Sequence, residues 1–202
     1  MTADLSGKLT AKGAARRAAI LHAAESLILE DGYAAFSARG VAARAGVALS
    51  HVQYYFAAPS EMIAELLRGY VGQYANASIE AFRRTKGAPE ERLTQMLKSQ
   101  FSTEGARDKC TLFMVEIAGL GIRDRSVRDA LEAYYSAYLE AVRTLIAELR
   151  PELNAAERNR RAPQVLALIE GAFFVASPLT LRGQNALAPR GIANAIMRLL
   201  AG

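Results

Sequence analysis

Apolar residues recur along this chain at the spacing of one helix face, and no stretch sustains the strict alternation of a strand. From Arg17, the residues Ile20, Ala23, Ala24, Leu27 and Ile28 follow the i, i+3, i+4, i+7, i+8 pattern, with Gly32 as a C-terminal stop. Ser37 is a good N-cap for a short helix carrying Val41, Ala42 and Ala45 and ending at Gly46. Another short helix is predicted from Leu49 to Phe56, then a break at Ala57-Ala58-Pro59. A longer stripe runs from Pro59 through Ile63, Leu66, Leu67, Tyr70, Tyr74, Ala77 and Ala81 toward Lys86-Gly87, and predicts one helix of about 25 residues. Pro89, Glu90 and Glu91 open the next, which carries Leu93, Met96, Leu97 and Phe101. Cys110 to Ile122 reads as an apolar helix interrupted by Glu116. Val127, Ala130, Leu131, Tyr134, Tyr138, Val142, Leu145 and Leu149 form the clearest stripe, stopped by Pro151. Asn154 and Glu157 have capping-box spacing, Pro163 marks a kink or a second start, and two last helices are predicted over Val165 to about Arg182 and Pro189 to Leu200. The expected class is all-α with about nine helices.

The short pair around Gly46 has the spacing of a helix-turn-helix. Ala42 allows close approach, Gly46 supplies the turn, and Val52 pins the second helix with help from Val47 and Phe56. Leu49, Ser50, His51, Gln53, Tyr54 and Tyr55 are left on or beside its outer face. Hydroxyl, imidazole and amide groups there suit base edges in a major groove, and Gln53 has the geometry to pair with adenine. Ser37 and Arg39, at the start of the preceding helix, suit phosphate. Lys8, Lys12, Arg16 and Arg17 read as a basic N-terminal arm. A solvated helical corner would show the same spacing.

Composition narrows the picture without deciding it. The 202 residues are 51% hydrophobic and 22% charged, in the range of an ordinary soluble globular protein. No uncharged apolar run approaches the length of a membrane span; the longest candidate, Gly171 to Leu181, contains Ser, Pro and Thr. A lone cysteine, Cys110, and the absence of a signal-like start lead to the expectation of a cytoplasmic protein. Net charge is +5, but residues 1–57 hold six Lys or Arg against four acids and the remainder nineteen against sixteen, so the excess is spread out.

The stretch from Arg17 to Leu67 resembles the DNA-binding domain of the TetR (tetracycline-repressor) family. The likeness is carried by Ile20-Leu21, Ala23-Ala24, Leu27, Gly32-Tyr33, Phe36-Ser37, Val41-Ala42, Ala45-Gly46-Val47, Tyr55-Phe56 and Glu61. Three positions depart from it: Gln53 stands where a tyrosine is common, Pro59 where a lysine is, and Ala58 where a capping Ser or Thr is. The resemblance implies a helix-turn-helix domain over residues 1–58 and an effector-binding and dimerisation domain over 59–202. It implies a one-component transcriptional regulator, a repressor released from double-stranded operator DNA by a small-molecule effector and acting as a homodimer. Past residue 87 the likeness is to the branch with the choline-responsive repressor; that ligand is not carried over.

In the second half, Val165, Leu168, Ile169, Ala172, Ile192, Ile196 and Leu199 line one face each of the last two helices. The resemblance assigns them to a dimer interface, while packing within one chain explains the same stripes. Tyr70, Phe113, Met114, Glu116, Tyr138 and Phe174 are the candidate effector-binding residues, although most aromatics of a Trp-free helical domain must be core. Glu116 is the sharpest clue, because a carboxylate set among apolar residues needs a partner: a ligand, or an arginine such as Arg143. No cofactor, metal or catalytic residue is expected. The chain lacks the phosphate-loop, zincin and nucleophile-elbow motifs, Gly119-Leu120-Gly121 breaks the dinucleotide pattern, and Cys110 has no His near it in sequence. A small helical enzyme and a ligand-independent activator are the alternatives.

Overall fold

Thr10 begins the first helix. Its hydroxyl accepts the N–H of Gly13 at 3.2 Å, so α1 (Ala11–Asp31) starts well before Arg17. Lys12 and Arg16 therefore stand on a helix and not on an extended arm. The computed structural model describes residues 10–70, 76–102, 104–175 and 188–201. Lys8, Tyr74, the side chains of Phe101 and Cys110, and the predicted helical stretch toward Arg182 lie outside the described residues.

The described residues form ten α-helices, one short 3-10 helix and no strand. After α1 and the 3-10 helix (Tyr33–Ala35) come α2 (Ala38–Ala45), α3 (Leu49–Tyr55), α4 (Pro59–Tyr70) and α5 (Ala77–Arg84). They are followed by α6 (Pro89–Ser102), α7 (Glu104–Gly121), α8 (Arg125–Leu149), α9 (Ala155–Val175) and α10 (Pro189–Ala201). The stripe expected to make one long helix from Pro59 is thus described as α4 and α5. Conversely, α9 runs through Pro163, because the apolar face carrying Ala162, Val165 and Leu166 is buried on both sides of it. The capping box forms as spaced: Asn154 N–H donates to Glu157 and Glu157 N–H to Asn154 Oδ1, both at 3.0 Å.

The chain divides into two compact units. The first comprises residues 1–67 and 112–131, so the division falls within α4, α7 and α8. Its core takes Ile20, Ala23, Ala24, Leu27 and Ile28 from α1, Val41 and Ala42 from α2, and Val52 and Phe56 from α3 and its end. The second comprises residues 68–111 and 132–202. There α6 packs on α5 and α10, and α10 on α9, around Phe82, Leu93, Leu97, Ile146, Val165 and Ile196. Arg161 of α9 donates to the carbonyls of Leu199 and Leu200, satisfying the open end of α10.

Candidate nucleic-acid interface and effector cavity

The corner is closed by backbone chemistry. The Ser37 hydroxyl accepts the N–H of Gly40 at 3.0 Å and starts α2. At the other end Gly46 adopts φ 64 and ψ 33, the left-handed region in which a side chain is disfavoured. A Cβ there would meet nothing within 4 Å, so it is the backbone conformation, not crowding, that calls for glycine. The N–H groups of Gly46 and Val47 return to Ala43 and Ala42, which satisfies the last carbonyls of α2 and turns the chain. Arg44 then bridges to Glu30 and Asp31 at the end of α1, a clamp absent from the expectations because its partners lie outside the motif.

Only Val52 of α3 is buried. Ser50, His51, Gln53 and Tyr54 are exposed, Tyr54 at 63%, while Leu49 and Tyr55 are half-buried. The Tyr54 and Tyr55 rings meet edge to face at 5.0 Å, which orients both at low entropic cost. Ser37 and Arg39 are exposed at the start of α2, and Arg39 has no ion-pair partner among the described residues. Arg17 is differently placed: its guanidinium forms a two-point pair with Glu65 of α4 and lies over the Phe56 ring.

Glu116 also resolves into a specific contact. It is half-buried on α7, and its Oε2 accepts the backbone N–H of Tyr33 at 3.1 Å. Tyr33 opens the 3-10 helix directly after the end of α1, so this N–H lacks a helical partner and the carboxylate supplies one. Arg143 instead pairs with Glu140 on its own helix, at 2.9 Å. Burial and, secondarily, the Asp124 carboxylate raise the Tyr33 phenol above its ordinary pKa.

The second unit holds a narrow cavity with a free volume of about 20 Å³. It is lined by Ser78 and Ile79 of α5, Met96 of α6, Tyr138, Ala141, Val142 and Leu145 of α8, and Ile169 of α9. Of the candidate effector residues, Tyr138 lines it. Tyr70 and Phe113 are buried, Met114 half-buried and Phe174 exposed, none of them among its lining residues. Val142 and Leu145 belong to the same α8 stripe as Tyr138, and Met96 to the apolar stripe of its own helix, which was the available signal; Ser78 gave none. Glu170 lies next to Ile169 in sequence, and burial pushes its carboxyl up to about 7 with no hydrogen-bond or ion-pair partner among the described residues.

The stripes expected at a dimer interface are mostly spent within the chain. Val165, Ile169, Ala172, Ile192 and Ile196 are buried in the unit's own core, and only Leu168 and Leu199 remain half-buried. The outward side of α9 carries Ala167, Gly171 and Phe174.

Residues 20–66 match the bacterial regulatory proteins of the tetR family, and residues 89–201 match the C-terminal domain of BetI-type transcriptional repressors. No curated protein matches the chain significantly. Among solved structures, a TetR-family transcriptional regulator from Rhodococcus sp. is 21% identical, with a TM-score of 0.73 over 93% of this chain and 99% of that one. A transcriptional regulator from Saccharomonospora viridis in complex with choline is 18% identical, with a TM-score of 0.66 over 93% and 96%. FadR from Bacillus subtilis in complex with stearoyl-CoA is 17% identical, with a TM-score of 0.68 over 91% and 96%. At these identities the likeness is one of fold. No helix among the described residues is long and apolar enough to cross a membrane.

Proposed function

The chain belongs to the TetR family of bacterial regulatory proteins and is a DNA-binding transcriptional regulator, and from that premise we propose how its residues divide the work. Residues 1–58 read operator DNA and residues 59–202 bind an effector and a second copy of the chain. The observation that carries this reading is the uncovered outer face of α3, held at a fixed angle by the Gly46 corner. Ser50, His51, Gln53 and Tyr54 read or fit the major groove, and Ser37 and Arg39 contact phosphate. Because one protomer offers one reading helix, a twofold pair places two of them about 34 to 36 Å apart, one turn of duplex. The outward residues Ala167, Leu168, Gly171, Phe174 and Leu199 serve that pairing, since the inward stripes are occupied.

The effector binds the cavity of the second unit. Its lining residues carry no charge, and apart from Ser78 and Tyr138 they have apolar side chains. They suit a small, uncharged, largely apolar molecule. Choline in the Saccharomonospora regulator and stearoyl-CoA in the Bacillus one make ligand-bound structures a property of such folds, with different chemistries in each. Repression lifts when the effector prefers the arrangement that does not fit the operator, and only that difference in affinity moves the equilibrium.

The test is a gel shift against the DNA upstream of the chain's own gene, expected to give a saturable complex that weakens with salt. Gln53→Ala and Tyr54→Ala should each weaken it by about tenfold, the scale of one well-placed base contact, with the melting temperature unchanged. Unchanged affinity in both variants overturns the assignment of α3 as the reading helix.

A further inference from the structure

Arg17 has the residue type of a phosphate ligand, yet its donors are already engaged. Both terminal nitrogens of its guanidinium donate to the two carboxylate oxygens of Glu65, and the side chains are only 28% and 23% exposed. The Cζ atom of the same group lies over the Phe56 ring, 4.9 Å from its centre. Phe56 is the residue that ends α3: it is buried, and its N–H donates to Val52 at 2.9 Å. One side chain of α1 thus grips the end of the reading helix and the body of α4 together. One turn earlier on α4 a second acid, Glu61, accepts the N–H of Ala57 at 2.8 Å, so α4 also holds the α3–α4 connection directly.

We propose that Arg17 is a positioning residue for operator recognition: paired with Glu65 and stacked on Phe56, it sets the tilt of α3 and makes no contact with phosphate. To reach DNA, the guanidinium would have to give up a half-buried, bidentate, charge-assisted pair together with its aromatic contact, and a surface phosphate returns no more than one such pair. Lysine could not replace it, because a point charge cannot hold both carboxylate oxygens and cover a ring at once. The inference rests on the DNA-binding reading above and refines which residues carry it.

The two roles predict opposite signs for one substitution. If Glu65 held Arg17 away from phosphate, Glu65→Gln would free it and tighten binding; if the pair positions α3, Glu65→Gln loosens binding even though it removes a negative charge. The probe is a duplex selected from random-sequence DNA by the wild-type protein, with binding read by fluorescence anisotropy across a salt series well below the melting temperature. The positioning role predicts binding about tenfold weaker for Glu65→Gln and Arg17→Met, a difference of about 1.4 kcal/mol. It also predicts an unchanged salt slope for Arg17→Met, whereas a lost phosphate contact would lower the slope by about 0.9. Arg17→Lys, which keeps the charge and tests the geometry, should bind nearly as poorly as Arg17→Met, and the exchange Arg17→Glu with Glu65→Arg should recover most of the loss. Tighter binding by Glu65→Gln, a lowered slope in Arg17→Met, or wild-type affinity in Arg17→Lys each overturns the proposal. A wild-type protein that selects no duplex overturns the DNA-binding reading itself, a result distinct from failure of the Arg17 role.

Discussion

The two compact units assign roles to their residues by different physics. In the first, α2 and α3 have 8 and 7 residues, and a left-handed glycine fixes the turn between them. Once Val52 is seated, the direction of every other α3 side chain follows from the helical repeat, so the proposed function is a surface whose members are set by register. In the second, α6, α9 and α10 run 14, 21 and 13 residues, and their apolar stripes turn inward. The proposed function there is a void, and a void depends on what four neighbouring helices leave unfilled. A surface can be deduced from one element; a cavity needs all of its walls.

The contrast between the units breaks most visibly if the second is loosely packed. Phe82 is fully buried, with the Arg92 guanidinium 4.0 Å from its ring centre and Arg92 Nε donating to its carbonyl at 3.2 Å. Phe82→Ala should therefore remove about 3 to 5 kcal/mol, read as a large drop in the calorimetric melting temperature. A loss under about 1 kcal/mol would mean that the surroundings collapse readily, and that the aromatic residues of this unit line soft space and not a rigid core.

That distinction also explains what could be read from the sequence. Ser37, Ala42, Gly46 and Val52 were legible because each is demanded by a local rule, a cap, a close approach, a left-handed turn and a pin, and the structure uses each in that way. The apolar faces of α9 and α10 were legible as faces, but not by destination. A stripe such as Val165, Ile169 and Ala172 has one pattern whether it meets its own core or a second copy, and here it meets its own core. Arg17 and Glu65 lie 48 positions apart, so no spacing rule connects them. Tyr138 was one of several aromatics with equal standing, and nothing in the sequence placed Ser78 beside it.

Glu170 sharpens the contrast, because the second unit holds a buried acid with no partner among the described residues. Burial raises its carboxyl from 4.5 to about 7, so the folded chain binds this proton more tightly than the unfolded chain does. The stabilisation of the protonated form is complete below about pH 4.5, fades as pH rises toward 7, and is gone above it. Glu170→Gln should then be more stable than the native sequence above about pH 7, by up to about 3 kcal/mol, with the difference vanishing near the unfolded-chain value. Melting temperatures of both proteins across that range decide it. A difference independent of pH would show that Glu170 is compensated in the folded chain.

The smallest effect falls on Glu116, the residue on which the two units exchange their expected roles. Its setting among Phe113, Met114, Ile117 and Ala118 suggested a pocket, but it belongs to the first unit and accepts the Tyr33 N–H at 3.1 Å. A carboxylate in that position gives a charge-assisted bond to a donor that has no helical partner. Gln keeps an acceptor oxygen and loses the charge, so Glu116→Gln should lower stability by about 0.5 to 1 kcal/mol in urea unfolding. Ala removes the acceptor and leaves the donor short of a partner, which should raise the loss to about 1 to 2 kcal/mol. Hydrogen exchange localises the change: the Tyr33 amide should exchange faster in both variants and fastest in Glu116→Ala, while amides around Tyr138 and Val142 keep their protection. Faster exchange at those cavity-lining residues with Tyr33 unaffected would return Glu116 to the effector site.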